Sequence, residues 1–370
     1  VYDNFLLPGK ASFLIGGQFG SEAKGAAAAS LACQLALEHG QGFDICTTNA
    51  SAQAGHTSIH NGVKRVAFHL PTVALIQAQD LNKKPIIYLN AGCAIDVEVL
   101  RNELFDYEVD LTRFFIHPNA AVITKECKEA EGRADSAQTK IASTRKGVGE
   151  AISRKVLRSG QIARDDPILR PHTRLINLNQ EMRSGKSVCV EVPQGLSLSL
   201  NGHFYPYCTS RDCTLEQAMN DAGIHPHFYG KSMLVIRCYP IRVGAIVQDG
   251  KQLGQSGDCY PDQQETDWET LGQPAEITTV TKRVRRIFTF SFNQLADAMN
   301  RVRPDVVFIS FCNYIREQSE LVAIIGFIKV RADRLGIARP EIILESGPTT
   351  ADVRSEDQLK SIIEQLEMDL

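Results

Sequence analysis

The chain alternates short apolar runs with longer stretches of helical period. Ser12 to Ile15 is an apolar run that ends in Gly16-Gly17, and a helix is predicted over Glu22 to Glu38, where Ala26 to Ala29 help build an Ala/Leu face. Strand-like runs recur at Ile86 to Leu89, Ser187 to Val192, Met233 to Ile236, Val306 to Phe311 and Glu341 to Leu344. Helical periodicity fits Val97 to Leu104, Gly149 to Arg158, Phe292 to Val302, Ser319 to Ala332 and Glu356 to Leu366. Strands separated by helices imply an α/β chain with a central, largely parallel sheet covered by helices on both faces. No long Pro/Gly/Ser linker and no internal repeat interrupts the pattern, so the expectation is one domain over residues 1–370 with elaborated loops. The polar, charged stretch from Lys125 to Thr144 reads as a mobile excursion.

Composition narrows the function classes. Apolar residues make up 43% of 370 positions and charged ones 22%, which suits a globular protein with a sizeable core. A formal net charge of -3 argues against a protein that coats nucleic acid, and no basic stripe with interleaved aromatics is present. No apolar run reaches membrane-spanning length, and Val1 to Lys10 lack a secretory signal pattern. The 10 cysteines are scattered without a Cys-x-x-Cys pair, and Cys33, Cys46, Cys93 and Cys189 sit in or beside apolar stretches. That usage points to reduced thiols and a cytoplasmic setting.

Two constellations carry chemistry. Gly16-Gly17-Gln18-Phe19-Gly20-Ser21-Glu22-Ala23-Lys24-Gly25 follows a strand and opens a helix. Glycines let the backbone turn tightly and approach phosphate oxygens, the helix N-terminus offers unpaired N–H groups, and Lys24 adds a point charge for a phosphoryl group in transfer. The spacing is not that of a Walker loop. Gln53-Ala54-Gly55-His56-Thr57 places a histidine where it could donate or accept a proton near neutral pH. A third segment, Thr278 to Arg286, suits a dicarboxylate, because guanidinium forks pair with carboxylates. If extended, it points Arg283 and Arg285 to the same side.

These segments resemble the adenylosuccinate synthetase superfamily, which carries Gly-x-Gln-Trp-Gly-Asp-Glu-Gly-Lys-Gly near its start and Asn-Ala-Gly-His-Thr some way on. The register continues through Ser143-Thr144-Arg145-Lys146-Gly147-Val148-Gly149 with Arg158, Glu191-Val192-Pro193-Gln194-Gly195, Tyr205-Pro206-Tyr207-Cys208-Thr209-Ser210, Thr278 to Arg286 and Ser346-Gly347-Pro348. The resemblance implies a P-loop-NTPase-like fold and a two-step ligation. A nucleoside triphosphate phosphorylates the purine 6-oxygen, then aspartate's amine displaces phosphate at carbon 6. It implies catalytic roles for Ser21, Lys24, His56 and Gln194. Ser21, Thr144, Arg158, Gln194 and Thr209 would hold the purine monophosphate, with Arg158 reaching over from the second subunit of a homodimer. Thr279, Thr281, Arg283 and Arg285 would bind aspartate. The donor would lie on Gly20 to Gly25, Gly55, His56, Thr57, Arg285, Asn313 and Ser346 to Pro348, with Mg2+ at Ser21 and the Gly55 carbonyl.

Departures from the pattern bear on the substrate. Ser21 stands where the family has aspartate; a hydroxyl is a poor base and a weaker metal ligand, and its shortness leaves room for guanine's 2-amino group. This serine, with Tyr260 to Glu265, Thr278 to Arg286 and Phe288 to Ser291, resembles a phage-encoded branch, the 2-aminoadenylosuccinate synthetases, which act on dGMP for diaminopurine DNA. The late Lys-x-Asp that reads guanine in the family is replaced by Ser310-Phe311-Cys312-Asn313, so the expected donor is ATP or dATP. Gln53 and Lys282 also depart, without a clear consequence. The expected partners are therefore dGMP, L-aspartate, ATP or dATP, and a second copy of the chain. An IMP-using synthetase and an inactive nucleotide-binding regulator remain as alternatives.

Overall fold

A computed structural model of the chain describes residues 2, 5–81, 84–278 and 281–357. The main sheet is built from β1 (Ala11–Gly16), β2 (Ile45–Thr48), β3 (Ile86–Leu89), β4 (Phe114–Ile116), β5 (Val188–Glu191), β6 (Tyr229–Arg237), β7 (Val306–Ser310), β8 (Glu341–Glu345) and β9 (Val353–Ser355). Its order is β9-β8-β7-β6-β1-β5-β2-β3-β4, nine strands among the described residues. Every neighbour pair is parallel except β8 with the edge strand β9. The largely parallel sheet expected from the alternation is therefore present.

The helices that cover this sheet or border the site are α1 (Lys24–His39), α2 (Thr72–Asp80), α3 (Lys125–Gly132), α4 (Ala137–Lys140), α5 (Val148–Val156), α6 (Phe292–Val302) and α7 (Gln318–Leu335). Alternation along the central strands decides which face each helix covers. Leu14, Met233, Val235, Phe308 and Ile343 share one core with α1 and α2. Phe13, Ile15, Leu234, Ile236, Val307 and Ile309 share the opposite core with Leu295 and Met299 of α6 and Ile324 and Ile328 of α7. With both faces buried, the strands read as continuous apolar runs, which is why periodicity found the six that it did. It missed β2, β4 and β9, each only three or four residues long, and it missed α2. The helix expected over Glu356 to Leu366 lies outside the described residues beyond Asp357.

The stretch from Lys125 to Thr144 corrects the sequence reading. It folds into α3 and α4, capped by Thr124 and Ser136 side chains. Glu131 is buried there, and its carboxylate accepts the Gly147 N–H at 2.7 Å and the Glu150 N–H at 3.1 Å, capping α5. A charged residue turned inward as a cap looks, in sequence, like a solvated one.

Strand order explains where a ligand can enter. Chain order reverses on either side of β1, which leaves a crevice at the strands' carboxyl ends. Gly16, Glu191, Arg237, Ser310 and Glu345 all end strands at that edge. Among the described residues, no helix is long and apolar enough to cross a membrane.

Gly25, at the start of α1, is pressed against the backbone of Thr57 so closely that a Cβ would overlap the Thr57 carbonyl. Gly25→Ala is expected to cost about 1–3 kcal/mol of stability through overpacking, measured by urea denaturation.

Candidate active site

The loop between β1 and α1 is organised around one carboxylate. Glu22 is fully buried; its Oε1 accepts N–H bonds from Gln18 at 3.0 Å and Gly20 at 2.7 Å, and its Oε2 pairs with Lys24 Nζ at 2.7 Å. Gly20, Ser21 and Ala23 hold positive φ angles of 83°, 61° and 61°. Two of these are non-glycine residues in the left-handed region, a strain that persists only where the surroundings fix it. The turn delivers Ala23, Lys24 and Gly25 to the N-terminus of α1, whose first N–H groups lack intrahelical partners. Glu22 thus shapes the loop from inside and does not face the cavity.

A cavity of about 880 Å³ opens above this loop. It is lined by Gly20, Ser21, Ala23, Lys24, Gly25, Gly55, His56, Thr57, Thr144, Gln194, Thr209, Thr281, Arg285, Asn313, Gly347 and Pro348, which brings together most of the residues singled out from the sequence. Four others do not line it. Glu22 is turned inward, and Ser346 is exposed beside the cavity with its N–H bonded to the Asp352 carbonyl. Arg158 is exposed just past α5. Arg283 is the clearest correction. Its guanidinium donates to the carbonyls of Gly244, Ala142 and Ser143, so it braces two loops. The segment is a hairpin tip and not an extended strand: Ile277 bridges Val284 antiparallel, and Lys282 turns with φ 55°. Arg283 and Arg285 thus meet different partners, the first the carbonyls of Gly244, Ala142 and Ser143 and the second Ser21. Thr279 lies outside the described residues.

His56 opens the hairpin strand His56–His60 and stands over the loop. Its Nδ1 is 3.4 Å from Glu191 Oε2, while Nε2 is buried without a protein partner. Glu191 ends β5, and its Oε1 accepts the Val73 N–H at 2.6 Å at the start of α2. One carboxylate therefore ties the histidine, β5 and α2 together. With both ring nitrogens protonated, Nδ1–H points at Glu191 and Nε2–H is left for an oxyanion in the cavity.

The opposite wall is a network of charge. Arg237, fully buried at the end of β6, donates to Glu276 at 2.6 Å, to the Ser21 carbonyl at 3.2 Å, and stacks 3.9 Å from the Phe311 ring centre. Gln18 locks the loop to the same strand end by donating to the Arg237 carbonyl and accepting its N–H. Arg285 Nη1 donates to Ser21 Oγ at 2.6 Å, and its Nε lies 3.7 Å from Glu276. Burial pulls the Arg285 guanidinium down to about 10, against the pull of Glu276 in the other direction. Burial pushes the Glu276 carboxyl up, but the charge and hydrogen bonds of Arg237, with Arg285 and Tyr314, outweigh it and leave it below its ordinary value. Sequence reasoning missed Arg237, Glu276 and Glu345. The available signal was an ionisable residue ending an apolar strand, as in Leu234-Val235-Ile236-Arg237 and Ile342-Ile343-Leu344-Glu345.

A phosphate-type loop at a helix N-terminus, an oriented histidine and a buried arginine, set at the carboxyl edge of a parallel sheet, define a site for nucleotide chemistry. The adenylosuccinate synthetase family model matches residues 13–173 and 166–327. The chain is 35% identical to the N6-succino-2-amino-2'-deoxyadenylate synthase of Salmonella phage PMBT28, over 93% of this chain and 97% of that one. It is 37% identical to the enzyme of the same name from Vibrio phage phiVC8, over 80% and 84%. The solved cyanophage S-2L succinoaminodeoxyadenylate synthetase, bound to dGMP and to dATP as energy donor, superimposes with a TM-score of 0.80 at 31% identity, covering 96% of this chain and 99% of that one. This chain belongs to the adenylosuccinate synthetase family, nucleotide-using ligases that form a carbon–nitrogen bond. Within it, the similarity runs to the phage synthases named above.

Glu276's folded-state pKa is depressed from 4.5, so its contribution to stability is present above pH 4.5 and is lost as pH falls through the folded value. Glu276→Gln should flatten that part of the acid limb of a stability-versus-pH curve, measured by urea midpoints between about pH 3 and 6.

Proposed function

We propose that the chain ligates L-aspartate to carbon 6 of dGMP, with ATP or dATP as phosphoryl donor, giving N6-succino-2-amino-2'-deoxyadenylate for diaminopurine DNA in the cytoplasm of an infected cell. The observation that carries this reading is Ser21. At the mouth of the cavity it offers a short neutral hydroxyl, already hydrogen-bonded by Arg285, where an aspartate would add length and charge. Guanine's 2-amino group needs that space, and a purine without it does not. The phage relatives carry the name of this product.

The residues divide the work. Gln194, held at φ 70° after β5, presents both an amide donor and an acceptor to the purine, and Thr144 and Thr209 would hold its phosphate and sugar. Thr209 Oγ1 accepts from Gln53 at 3.0 Å, which gives the departure at position 53 a supporting role. Lys24 and the N–H groups at the start of α1 would bear the charge spreading over the transferred phosphoryl group. His56 Nε2 would donate to the 6-oxygen as it gains charge. Arg285 would exchange its bond with Ser21 for the carboxylates of aspartate, with Thr281 beside it. Thr279 would join them, and Arg283, which now ties this segment to the loops at Gly244 and Ala142-Ser143, would reach aspartate only by giving up those carbonyls.

The donor set suits a magnesium ion that arrives with the triphosphate. Ser21 Oγ and the Gly55 carbonyl are neutral oxygens, and the one loop carboxylate, Glu22, is consumed by Gln18, Gly20 and Lys24. A site of this kind leaves most of the coordination to phosphate and water, as magnesium prefers. When bound, the ion would neutralise charge on the donor's phosphates.

In this reading the chain is a single domain that pairs into a homodimer. Val156 and Leu157 are 69% and 70% exposed immediately before Arg158, an apolar patch whose burial against a second copy would aim Arg158 at the neighbour's nucleotide.

The first test is phosphate release with aspartate, magnesium and ATP, with dGMP and IMP run side by side. Turnover with dGMP and little with IMP is expected. Turnover with IMP alone would discard the reading of Ser21, and turnover with neither would favour a nucleotide-binding regulator. Ser21→Asp should shift the dGMP-to-IMP ratio of kcat/KM toward IMP by about tenfold or more. For the shared site, Arg158→Ala and Lys24→Ala should each be nearly inactive. Their mixture should recover about a quarter of wild-type turnover, because half the dimers then hold one complete site. No recovery after subunit exchange would count against Arg158 acting across the interface.

A further inference from the structure

We propose that Glu345 selects the base of the phosphoryl donor, its carboxylate accepting the exocyclic amine of adenine and rejecting the exocyclic oxygen of guanine. The inference rests on the reading that the donor spans the cavity from the glycine loop to Asn313 and Pro348.

Glu345 ends β8 and lines the cavity beside Phe311, Asn313 and Gly347. It is 4% exposed, so its carboxylate has little water. Its Oε2 accepts the Phe311 N–H at 2.8 Å. Phe311 holds a left-handed conformation, φ 57°, at the turn after β7, and that turn brings its amide to this spot. Without Glu345 this N–H would be an unpaired donor at the cavity wall, suited to a carbonyl such as guanine's 6-oxygen. With Glu345 the donor is consumed and the wall presents an acceptor instead. Among the described residues no donor is paired with the second carboxylate oxygen, Oε1.

The chemistry then separates the two bases. Adenine carries an amine at position 6, a donor that satisfies the free carboxylate oxygen. Guanine carries an oxygen there, and two acceptors facing each other in a poorly solvated pocket leave both unsatisfied. The surroundings favour a new donor and also bound the effect to the ionised form, because a protonated carboxyl could donate to guanine's oxygen. Burial, with Asp352 nearby, pushes the Glu345 carboxyl up to about 7, while the Phe311 N–H and Arg237 hold it down. A carboxylate that is short of solvation gains most from a new donor. Asn313, on the same wall, can donate to or accept from adenine's ring edge but cannot supply a second negative charge for guanine's N1–H and amine.

Donor binding can be measured without any acceptor nucleotide. Isothermal titration of AMP-PNP and GMP-PNP, each with magnesium, is expected to show at least about tenfold tighter binding of the adenine analogue by the wild type. Glu345→Ser uncovers the Phe311 N–H, and near-isosteric Glu345→Gln can turn an NH2 toward the base. Each should narrow that ratio by about tenfold or more, chiefly by tightening GMP-PNP. A structural role alone would weaken both analogues together and leave the ratio in place. The inference is overturned if the wild type binds the two equally, or if both variants keep the wild-type ratio. If the ratio behaves as expected while dGMP supports no turnover, the donor inference stands and the acceptor reading falls.

Discussion

The site depends on the carboxylate of Glu22. A loop that must later accept phosphate cannot be left open, because unpaired backbone N–H groups in a buried turn are costly. Glu22 takes the N–H groups of Gln18 and Gly20 and balances Lys24, so the turn is ordered by its own sequence. The neutral pair also keeps the lysine in place. Lys24 is only 5% exposed, and a cation buried without a partner is costly. Everything positioned by α1 and by the Gly16–Gly25 turn depends on that arrangement.

A second carboxylate repeats the device at a larger scale. Glu276 gathers Arg237, Arg285 and Tyr314, and through the two arginines it reaches Ser21 on the loop. The Arg237 guanidinium is anchored by backbone, ring and carboxylate contacts, whereas that of Arg285 lies 3.7 Å from the Glu276 carboxylate and meets Ser21 through one bond. The weaker set belongs to the side chain that, in the proposed reading, would release its partners to take a substrate carboxylate. Burial without full pairing keeps the Arg285 guanidinium lowered to about 10, which favours exchange for a better anion.

How each feature is encoded decided whether it was legible in the sequence. Buried parallel strands are continuous apolar runs, so β1, β3 and β5 to β8 could be read, and the loop motif could be placed between a strand and a helix. Strands of three residues such as β4 and β9 carry too little pattern, and β2 ends in two threonines. The partners of Glu131, Glu276 and Glu345 were not legible for another reason. A glutamate that caps a helix, pairs an arginine or accepts one backbone N–H has the same letter as a solvated one, and only the fold shows which donor it meets. The same limit applied to Arg283 and Arg285. Alternation in an extended segment would put them on one side, but the partners each guanidinium finds, carbonyls for Arg283 and Ser21 for Arg285, come from loops distant in sequence.

Ser21 and Glu345 give the two substrate readings a common physical basis. Relative to the family pattern, a carboxylate is missing at position 21 and another in the late stretch Ser310 to Asn313, while Glu345 places one on the wall of the proposed donor end. Base recognition turns on which heteroatom at position 6 or 2 meets which partner, and a carboxylate is the strongest acceptor a side chain can offer. Removing one where an amine must fit by size, and keeping one where an amine must be recognised, would turn a guanine-bearing nucleotide into the substrate and an adenine-bearing one into the donor. The same exchange alters one oxygen of the proposed magnesium set at Ser21 but leaves the supports of Lys24 and His56 in place. Lys24, His56 and the start of α1 are held by Glu22 and Glu191, neither of which contacts Ser21 or Glu345 through any hydrogen bond among the described residues. Substitutions at Ser21 and Glu345 can therefore act on specificity while Lys24 and His56 keep the carboxylates that hold them.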